Sequence, residues 1–167
     1  MGENIAEVIF DLEARRIARM TFYRDDLRFR CGRCAVFCCK LGGPMLTKSD
    51  ADRAKLAGVR LEDFLETTLD PKFKRLPVMV GNLKNSSDGS CIFLRFSPGR
   101  GVYECLIYDS RPARCRLYPF DFDRVSPNSL RLELIPCCNG LNAEDGELVH
   151  ENFITKHLLN ALLDMFV

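Results

Sequence analysis

The sequence predicts an α+β fold, a single domain of helices and short β-hairpins assembled around cysteine-ligated metal. Three observations support this prediction. Nine cysteines occur among 167 residues, and four of them lie between Cys31 and Cys39. Helical spacing of apolar residues and strict alternation both occur, in separate parts of the chain. No repeat, linker or low-complexity segment divides residues 1–167, and this length is sufficient to bury an adequate core.

The N-terminal part is predicted to be mostly helical and then extended. Over residues 3–27, apolar side chains recur at roughly helical spacing between acidic residues and arginines. These apolar residues are Ile5, Val8, Ile9, Leu12, Ile17 and Met20. Phe29 then leads into the first cysteines as a short extended segment. The sequence Leu41-Gly-Gly-Pro44 breaks regular structure after them.

Two helices are predicted next. Thr47 is a good N-cap, and Asp50 places a carboxylate at the third helical position, where it stabilises the helix start. The first helix runs from about Lys48 to Ala57, where a glycine follows. The second runs from about Leu61 to Leu69 and stops before Pro71.

The middle of the chain changes to short strands and turns. Val78–Val80 and Ser90–Leu94 are predicted as strands on either side of the turn sequence Asn85-Ser-Ser-Asp-Gly89. A turn containing Gly and Pro covers Phe96–Gly101, and Val102–Leu106 is predicted as a further strand.

The last part is predicted as a hairpin followed by a helix. Phe120–Val125 and Leu130–Ile135 alternate well enough to pair across Ser126-Pro-Asn128. Asn139-Gly140 makes a turn after the last cysteines, and Glu147–Phe166 is helical. The apolar side of this helix is formed by Val149, Phe153, Leu158, Leu162 and Met165.

Charge and composition exclude several classes of protein. The chain has 24 basic and 23 acidic side chains, so its net charge of +1 gives no general attraction to nucleic acid. No run approaches the roughly 20 apolar residues that span a bilayer. The acidic residues among the first twenty do not follow the plan of a signal peptide. We therefore expect a cytoplasmic protein that is not attached to a membrane.

The cysteines predict a metal site and not a disulfide framework. Disulfides are uncommon in a reducing cytosol, and nine thiols cannot all pair within one chain. Thiolates are soft ligands that select zinc, copper(I) or iron–sulfur centres. Cys31 and Cys34 have the Cys-x-x-Cys spacing that lets two sulfurs reach one metal. The predicted ligands are Cys31, Cys34, Cys38, Cys39, Cys91, Cys105, Cys115 and Cys138.

The two cysteine doublets leave the number of centres open. Adjacent side chains oppose each other on a strand and diverge by about 100° on a helix, so one metal rarely takes both. The pair Cys38-Cys39 serves either two centres or one centre with a spare thiol, and either member of Cys137-Cys138 is a candidate spare. Cys91 has the alternative of a small buried hydrophobic residue. Eight thiols suffice for two four-cysteine sites, and five or six for one site with spares.

Iron–sulfur and zinc centres both remain open, and the sequence favours iron–sulfur. Zinc sites usually combine two Cys-x-x-Cys pairs or add histidines, whereas this chain has one such pair and two doublets. Cationic Arg111 and Arg116 flank Cys115 and are expected to contact the cofactor and offset the charge of its thiolates. The alternative is that these arginines pair with nearby aspartates on the surface.

Other chemistry finds little support in the sequence. His150 and His157 lie seven residues apart and share a helix face, but solvent-facing histidines are far commoner than ligands. No Ser/His/Asp arrangement is present. Gly42-Gly43-Pro44 lacks the lysine and the preceding strand of a phosphate-binding loop.

The sequence resembles a known family, the YkgJ-like cysteine-cluster proteins. The matching residues are Phe29-Arg-Cys31-Gly-Arg-Cys34, Cys38-Cys39, Leu46-Thr47-x-x-Asp50, Cys91-Ile-Phe-Leu94 and the long motif Cys105-Leu-Ile-Tyr108-Asp-Ser-Arg111-Pro112-Ala-Arg-Cys115-Arg116-Leu-Tyr118-Pro119-Phe120. The resemblance covers about residues 29–138 and implies zinc or iron chelation. The family signature has two residues before the doublet, whereas this chain has three, Ala35-Val-Phe37. Cys137-Cys138 resembles the closing cysteine of the family in duplicate.

The sequence therefore predicts a metal-binding protein with one or two cysteine-ligated centres. The favoured cofactor is an iron–sulfur cluster of the 4Fe-4S type, acting in electron transfer or as an accessory to a larger metalloenzyme, with a metalloenzyme or redox protein as partner. The alternatives are a structural zinc module that binds through its surface, and an iron–sulfur-dependent oxidoreductase or modifying enzyme. An open coordination position on iron, or a polar pocket near Tyr108, Arg111 and Tyr118, would favour this enzyme.

Overall fold

A β-hairpin occupies the N-terminal segment in the computed structural model, which describes residues 2–56, 58–67 and 78–166. Strands β1 (Glu3–Asp11) and β2 (Arg16–Phe22) pair antiparallel, so the helix predicted for residues 3–27 is wrong. From Ala6 onward the residues that β1 buries follow a period of two, Ala6, Val8 and Phe10, while Ile5, at an irregularity in the pairing, is buried as well. The prediction failed because both faces of this strand carry apolar side chains, whose combined spacing resembles that of a helix.

Contacts within the chain separate two units. The first unit comprises Met1–Gly32 and Leu117–Leu163, and the second comprises Arg33–Arg116 and Asp164–Val167. Each unit has its own sheets and its own buried side chains. The single domain over residues 1–167 stays a prediction.

The first unit is built on a four-stranded antiparallel sheet with the order β2-β1-β10-β9. The predicted hairpin after the cysteine-rich region forms β9 (Phe120–Ser126) and β10 (Ser129–Leu134), and this prediction is confirmed. The extended segment predicted at Phe29 is also confirmed. It is strand β3 (Arg28–Phe29), which pairs with β11 (Glu147–Leu148).

The C-terminal helical segment belongs to the first unit up to Leu163, and its last residues belong to the second. The predicted C-terminal helix begins at Glu151, four residues later than expected, as α4 (Glu151–Phe153), a π-helical turn (Ile154–Leu158) and α5 (Leu159–Phe166). Its predicted apolar residues are all buried. The rings of Phe29, Phe120 and Phe153 lie within 6.2 Å of one another, which ties β3, β9 and α4 together.

The second unit contains a three-stranded antiparallel sheet and two helices. The strand order is β4-β6-β5, and the elements are β4 (Met45–Thr47), α1 (Lys48–Leu56), α2 (Leu61–Phe64), β5 (Leu65–Glu66) and β6 (Met79–Leu83). Helix α1 begins as predicted, while α2 is shorter than predicted because the chain turns into β5. The predicted stop before Pro71 lies outside the described residues. Leu46, Phe64, Leu83 and Cys91 form the buried core of this unit.

A β-hairpin and a short helix complete the second unit. Strands β7 (Leu94–Ser97) and β8 (Val102–Cys105) pair antiparallel. The strand predicted for Ser90–Leu94 is therefore wrong, since most of that segment forms a turn before β7. A 3₁₀ turn (Tyr108–Ser110) precedes the single-turn helix α3 (Ala113–Leu117), which Pro112 introduces. None of the helices in residues 2–56, 58–67 and 78–166 is long and apolar enough to cross a bilayer.

Candidate metal centre

Five thiols of the second unit each interact electrostatically with at least three of the others. They are Cys38, Cys39, Cys91, Cys105 and Cys115, which we call the five-thiol group. The residues come from four segments that are far apart in sequence: the loop after β3, the turn before β7, the end of β8 and helix α3. Tertiary folding therefore assembles the group, and the predicted ligands that it unites lie up to 77 positions apart.

Backbone hydrogen bonds align three of these segments. The amide of Cys91 donates to the carbonyl of Cys39 over 2.8 Å, and the amide of Leu94 donates to the carbonyl of Cys91 over 2.9 Å. Leu94 is in turn the register partner of Cys105 in the β7–β8 hairpin. The loop with the doublet is thereby fixed to the hairpin that carries the fourth thiol of the group.

The adjacent cysteines Cys38 and Cys39 both face this group. Their sulfurs lie 3.7 Å apart, with the Cys39 thiol donating to the Cys38 sulfur. Two thiolates on one tetrahedral ion with metal–sulfur bonds of about 2.3 Å are separated by about 3.8 Å. The distance therefore suits two ligands of one centre, although adjacent side chains usually diverge.

The hydrogen bond makes the two members of the doublet unequal. It lowers the pKa of Cys38 to about 7, with a further contribution from the charge of Arg111. The pKa of Cys39 is raised, first because its thiol donates that hydrogen bond and second because the side chain is half-buried. Within the five-thiol group, Cys38 is therefore the thiol that most readily gives up its proton to a metal near neutral pH.

The other three thiols are protected by burial. Desolvation raises the pKa of Cys91, Cys105 and Cys115, and the charges of neighbouring thiolates raise it further. Cys91 is 6% exposed and belongs to the apolar core of its unit. Burial of a small thiol among apolar side chains and ligation are both consistent with this position, so its role as a ligand stays a prediction.

Arg111 supplies positive charge to the five-thiol group. Its charge lowers the pKa of Cys38, Cys105 and Cys115 against the effect of burial. The Arg111 guanidinium lies 3.8 Å from the centre of the Tyr108 ring, and its Nε donates to the Tyr108 carbonyl over 3.0 Å. A second guanidinium, from Arg33, lies 4.6 Å from the same ring centre. The contact of Arg111 with a cofactor stays a prediction.

Arg116 and Tyr118, also predicted near the site, have other partners. Nη2 of Arg116 lies 2.8 Å from the carboxylate of Asp164. The Tyr118 hydroxyl lies 3.7 Å from the sulfur of Cys137, within the first unit. The contact of Arg116 with a cofactor stays a prediction.

The remaining cysteines do not join the five-thiol group in the structure. Cys31, Cys137 and Cys138 belong to the first unit, and Cys34 is an exposed residue of the second. The amide of Arg30 donates to the carbonyl of Gly140 over 3.0 Å. Cys31, the next residue, therefore follows a segment that is bonded to the turn after the second doublet. The assignment of Cys31, Cys34 and Cys138 as ligands stays a prediction.

The donor set fits a thiolate-bound metal, although the thiols still have to close around it. Across residues 2–56, 58–67 and 78–166, no three cysteine, histidine or carboxylate side chains are arranged to hold an ion as they stand. Five partly buried soft donors with a neighbouring cation nevertheless match the requirements of a zinc or iron–sulfur centre. Nε2 of His157 lies 2.9 Å from a carboxylate oxygen of Glu147 in the first unit.

One residue near the group was recognised in the sequence for its local role alone. Asp50 was predicted only as a helix-start carboxylate, but its Oδ1 also accepts from the amide of Ala113 over 2.9 Å. The Thr47-x-x-Asp50 pattern indicates the capping interaction. No pattern in the sequence indicates a partner 63 positions away.

Comparisons with known proteins agree with this chemistry. Residues 30–138 match the model of a family described as "CxxCxxCC: Putative zinc- or iron-chelating domain". The chain is also 32% identical over 139 residues to "Uncharacterized protein MJ0661" of Methanocaldococcus jannaschii, covering 78% of this chain and 68% of that protein. No solved structure matches the chain.

Proposed function

The chain belongs to the CxxCxxCC family of zinc- or iron-chelating cysteine domains, and on this basis we propose that its five-thiol group holds a metal centre. The finer proposal is an iron–sulfur centre that acts in electron transfer or as an accessory to a larger metalloenzyme. The observation that carries it is the assembly of Cys38, Cys39, Cys91, Cys105 and Cys115 from four distant segments, with the sulfurs of the doublet 3.7 Å apart.

Different residues of the second unit would have different roles in holding such a centre. Four of the five thiols supply a complete set of ligands, and the fifth is a spare or a replacement. Arg111 offsets the negative charge that deprotonated thiols accumulate. Burial keeps water away from the sulfurs. When bound, an iron–sulfur cluster supplies a redox centre that exchanges single electrons.

Zinc is the alternative that the geometry also supports. A separation of 3.7 Å between the two sulfurs of the doublet suits a tetrahedral ion as well as the edge of a cluster. In that case the metal stabilises the second unit and the function lies in the surface of the protein. Iron–sulfur is favoured because zinc sites usually combine two Cys-x-x-Cys pairs or add histidines, whereas this chain has one such pair and two doublets.

An exposed face beside the centre supports a protein partner. Phe96 and Tyr103 are register partners in the β7–β8 hairpin and lie on the same side of it as Cys105. Phe96 is 54% exposed, and its ring centre lies 5.0 Å from that of Tyr103. The ammonium of Lys40 lies 4.3 Å from the Tyr103 ring centre. An aromatic face with a cation at its edge is suited to a partner with acidic side chains.

The test is metal analysis of protein purified without oxygen. We expect a brown protein with a broad absorption band near ~400 nm, together with iron and acid-labile sulfide. A colourless protein with stoichiometric zinc would replace iron–sulfur by zinc, and a protein without either metal would contradict the proposal as a whole. Cys115→Ser is expected to lose most of the metal. Cys137→Ser is the matched control, because this exposed thiol lies outside the five-thiol group, and it is expected to retain the metal.

A further inference from the structure

We infer that Asp50 and Asp164 are positioning residues of the metal centre: they fix the two ends of helix α3 and thereby the direction of the Cys115 thiol. Neither carboxylate is proposed as a ligand. The part of the inference that concerns metal affinity rests on the function proposed above, whereas the placement of Cys115 can be tested without any metal.

The first support is the environment of Asp50, whose side chain is 1% exposed. Its Oδ2 accepts from the amide of Thr47 over 2.9 Å, while its own amide donates to the Thr47 hydroxyl over 3.0 Å. This reciprocal capping uses one of the two carboxylate oxygens of Asp50. The other oxygen, Oδ1, accepts from the amide of Ala113 and from the guanidinium of Arg53.

The second support is a matching carboxylate at the other end of α3. Oδ2 of Asp164, whose side chain is 12% exposed, lies 2.8 Å from Nη2 of Arg116 and 2.8 Å from Nη1 of Arg53. Arg53 therefore joins the two carboxylates. The result is a closed ring that runs from Asp50 through Arg53, Asp164 and Arg116 and returns along the backbone to Ala113.

The third support is the weakness of α3 by itself. The helix has five residues, too few to be stable without tertiary contacts. Cys115 lies inside it, between the residue held by Asp50 and the residue held by Asp164. Since both contacts are charge-assisted and partly or wholly buried, they are stronger than exposed ion pairs and less screened by salt. They are the interactions best placed to orient Cys115.

A packing role alone does not explain this arrangement. Capping of α1 uses one carboxylate oxygen of Asp50, which accepts the hydrogen bond from the Thr47 amide. The remaining oxygen is directed at a segment 63 positions away that carries a predicted ligand. Residues that orient ligands in this way typically change metal affinity by 10- to 100-fold when they are replaced.

The experiment compares Asp50→Asn and Asp164→Asn with the wild-type chain. Asp52→Asn is the matched control, because Asp52 lies on the same helix as Asp50 and its ion pair with Lys48 is exposed to solvent. The first readout is the rate at which iodoacetamide labels each cysteine of the metal-free chain, followed by peptide mass spectrometry. The second is the dissociation constant for Zn²⁺, measured by competition with a chromophoric chelator. The third is urea unfolding of the metal-free chain.

We expect labelling of Cys115 to accelerate about tenfold or more in both variants while labelling of Cys91, the buried reference thiol, changes little. Zinc affinity should fall 10- to 100-fold, and Asp52→Asn should match the wild type in every readout. The inference is overturned if Cys115 labelling and zinc affinity are unchanged, or if Cys91 and Cys115 accelerate equally, since that pattern reports general loosening of the fold.

The test also covers a variant that does not fold and a wild-type chain that binds no metal. If Asp50→Asn does not fold, the partly exposed Asp164→Asn and Arg116→Gln carry the test, because both remove the same contact from the C-terminal end of α3. If the wild-type chain binds neither zinc nor iron, the proposed function fails, and the labelling rates of Cys115 still accept or reject the positioning role.

Discussion

At the scale of the residue, the candidate site is governed by the competition between burial and charge. Burial raises the pKa of Cys91, Cys105 and Cys115, and a metal has to displace protons from the thiols it binds. The charge of Arg111 lowers the pKa of Cys105, Cys115 and Cys38. Metal affinity should therefore rise with pH, and the charge of this one arginine should set the range in which it rises.

Replacement of Arg111 by alanine is expected to weaken metal binding about tenfold at neutral pH. Without the guanidinium, the pKa of Cys38, Cys105 and Cys115 rises, so protons compete with the metal at a higher pH. Acidification of the metal-loaded protein should then release the metal at a higher pH than in the wild type. The measurement is metal released to a chromophoric chelator during stepwise acidification.

Arg111→Lys and Arg100→Ala are the controls for this prediction. The lysine keeps the positive charge and should restore most of the affinity at neutral pH. Arg100 forms its ion pair with Glu104 on the exposed hairpin, so its loss should leave the release curve unchanged. Identical release curves for Arg111→Ala and the wild type would show that the arginine has no electrostatic role at the site.

At the scale of the element, the loop that carries the doublet depends on close contact with strand β6. A Cβ atom built at Gly43 would contact the Cβ of Leu83 and lie 2.7 Å from its carbonyl oxygen. The same stretch is fixed by the Leu83 amide, which donates to the Pro44 carbonyl over 2.9 Å. Only glycine leaves room for this approach.

Gly43→Ala is expected to destabilise the protein by about 1–3 kcal/mol, because the added methyl group must push the loop away from β6. Since the loop also carries Cys38 and Cys39, metal content should fall together with stability. Thermal or urea unfolding and metal analysis measure the two effects. Gly99→Ala is the matched control, as nothing lies within 4 Å of its added Cβ. Equal stability of the two variants would mean that the loop can move without cost.

At the scale of the whole molecule, the two units have opposite charge. The first unit carries 9 basic and 13 acidic side chains, a net charge of −4, and the second carries 15 basic and 10 acidic ones, a net charge of +5. The near-neutral total of +1 conceals this separation. Positive charge is therefore concentrated in the unit that gathers thiols, where deprotonation on metal binding adds negative charge.

Removal of the metal is expected to destabilise the second unit far more than the first. A structural thiolate site contributes on the order of 10 kcal/mol to folding, and the five-thiol group lies wholly within the second unit. Hydrogen exchange followed by mass spectrometry should show that chelation lowers protection within residues 33–116. The amides of β1 and β10 should keep theirs. Equal loss of protection in both units would mean that the chain folds and unfolds as one body.

The sequence by itself determined the chemistry and much of the local structure. Soft thiols at fixed spacing predicted metal chelation, and the Thr47-x-x-Asp50 pattern predicted the start of α1, because both depend on residue type and local spacing. The β9–β10 hairpin and the apolar side of the C-terminal helix were predicted correctly for the same reason. The N-terminal segment was not, since apolar side chains on both faces of β1 resemble helical spacing.

Only the tertiary structure decided which thiols meet and what holds them there. The sequence offered eight ligands, and the fold brings five thiols together, including Cys38 and Cys39 with their sulfurs 3.7 Å apart. It also gave Asp50 a partner at Ala113 and made Arg116 a partner of Asp164. Such contacts depend on the three-dimensional course of the chain, which no spacing along the sequence encodes, whereas the affinity of sulfur for metal is a property of the side chain alone.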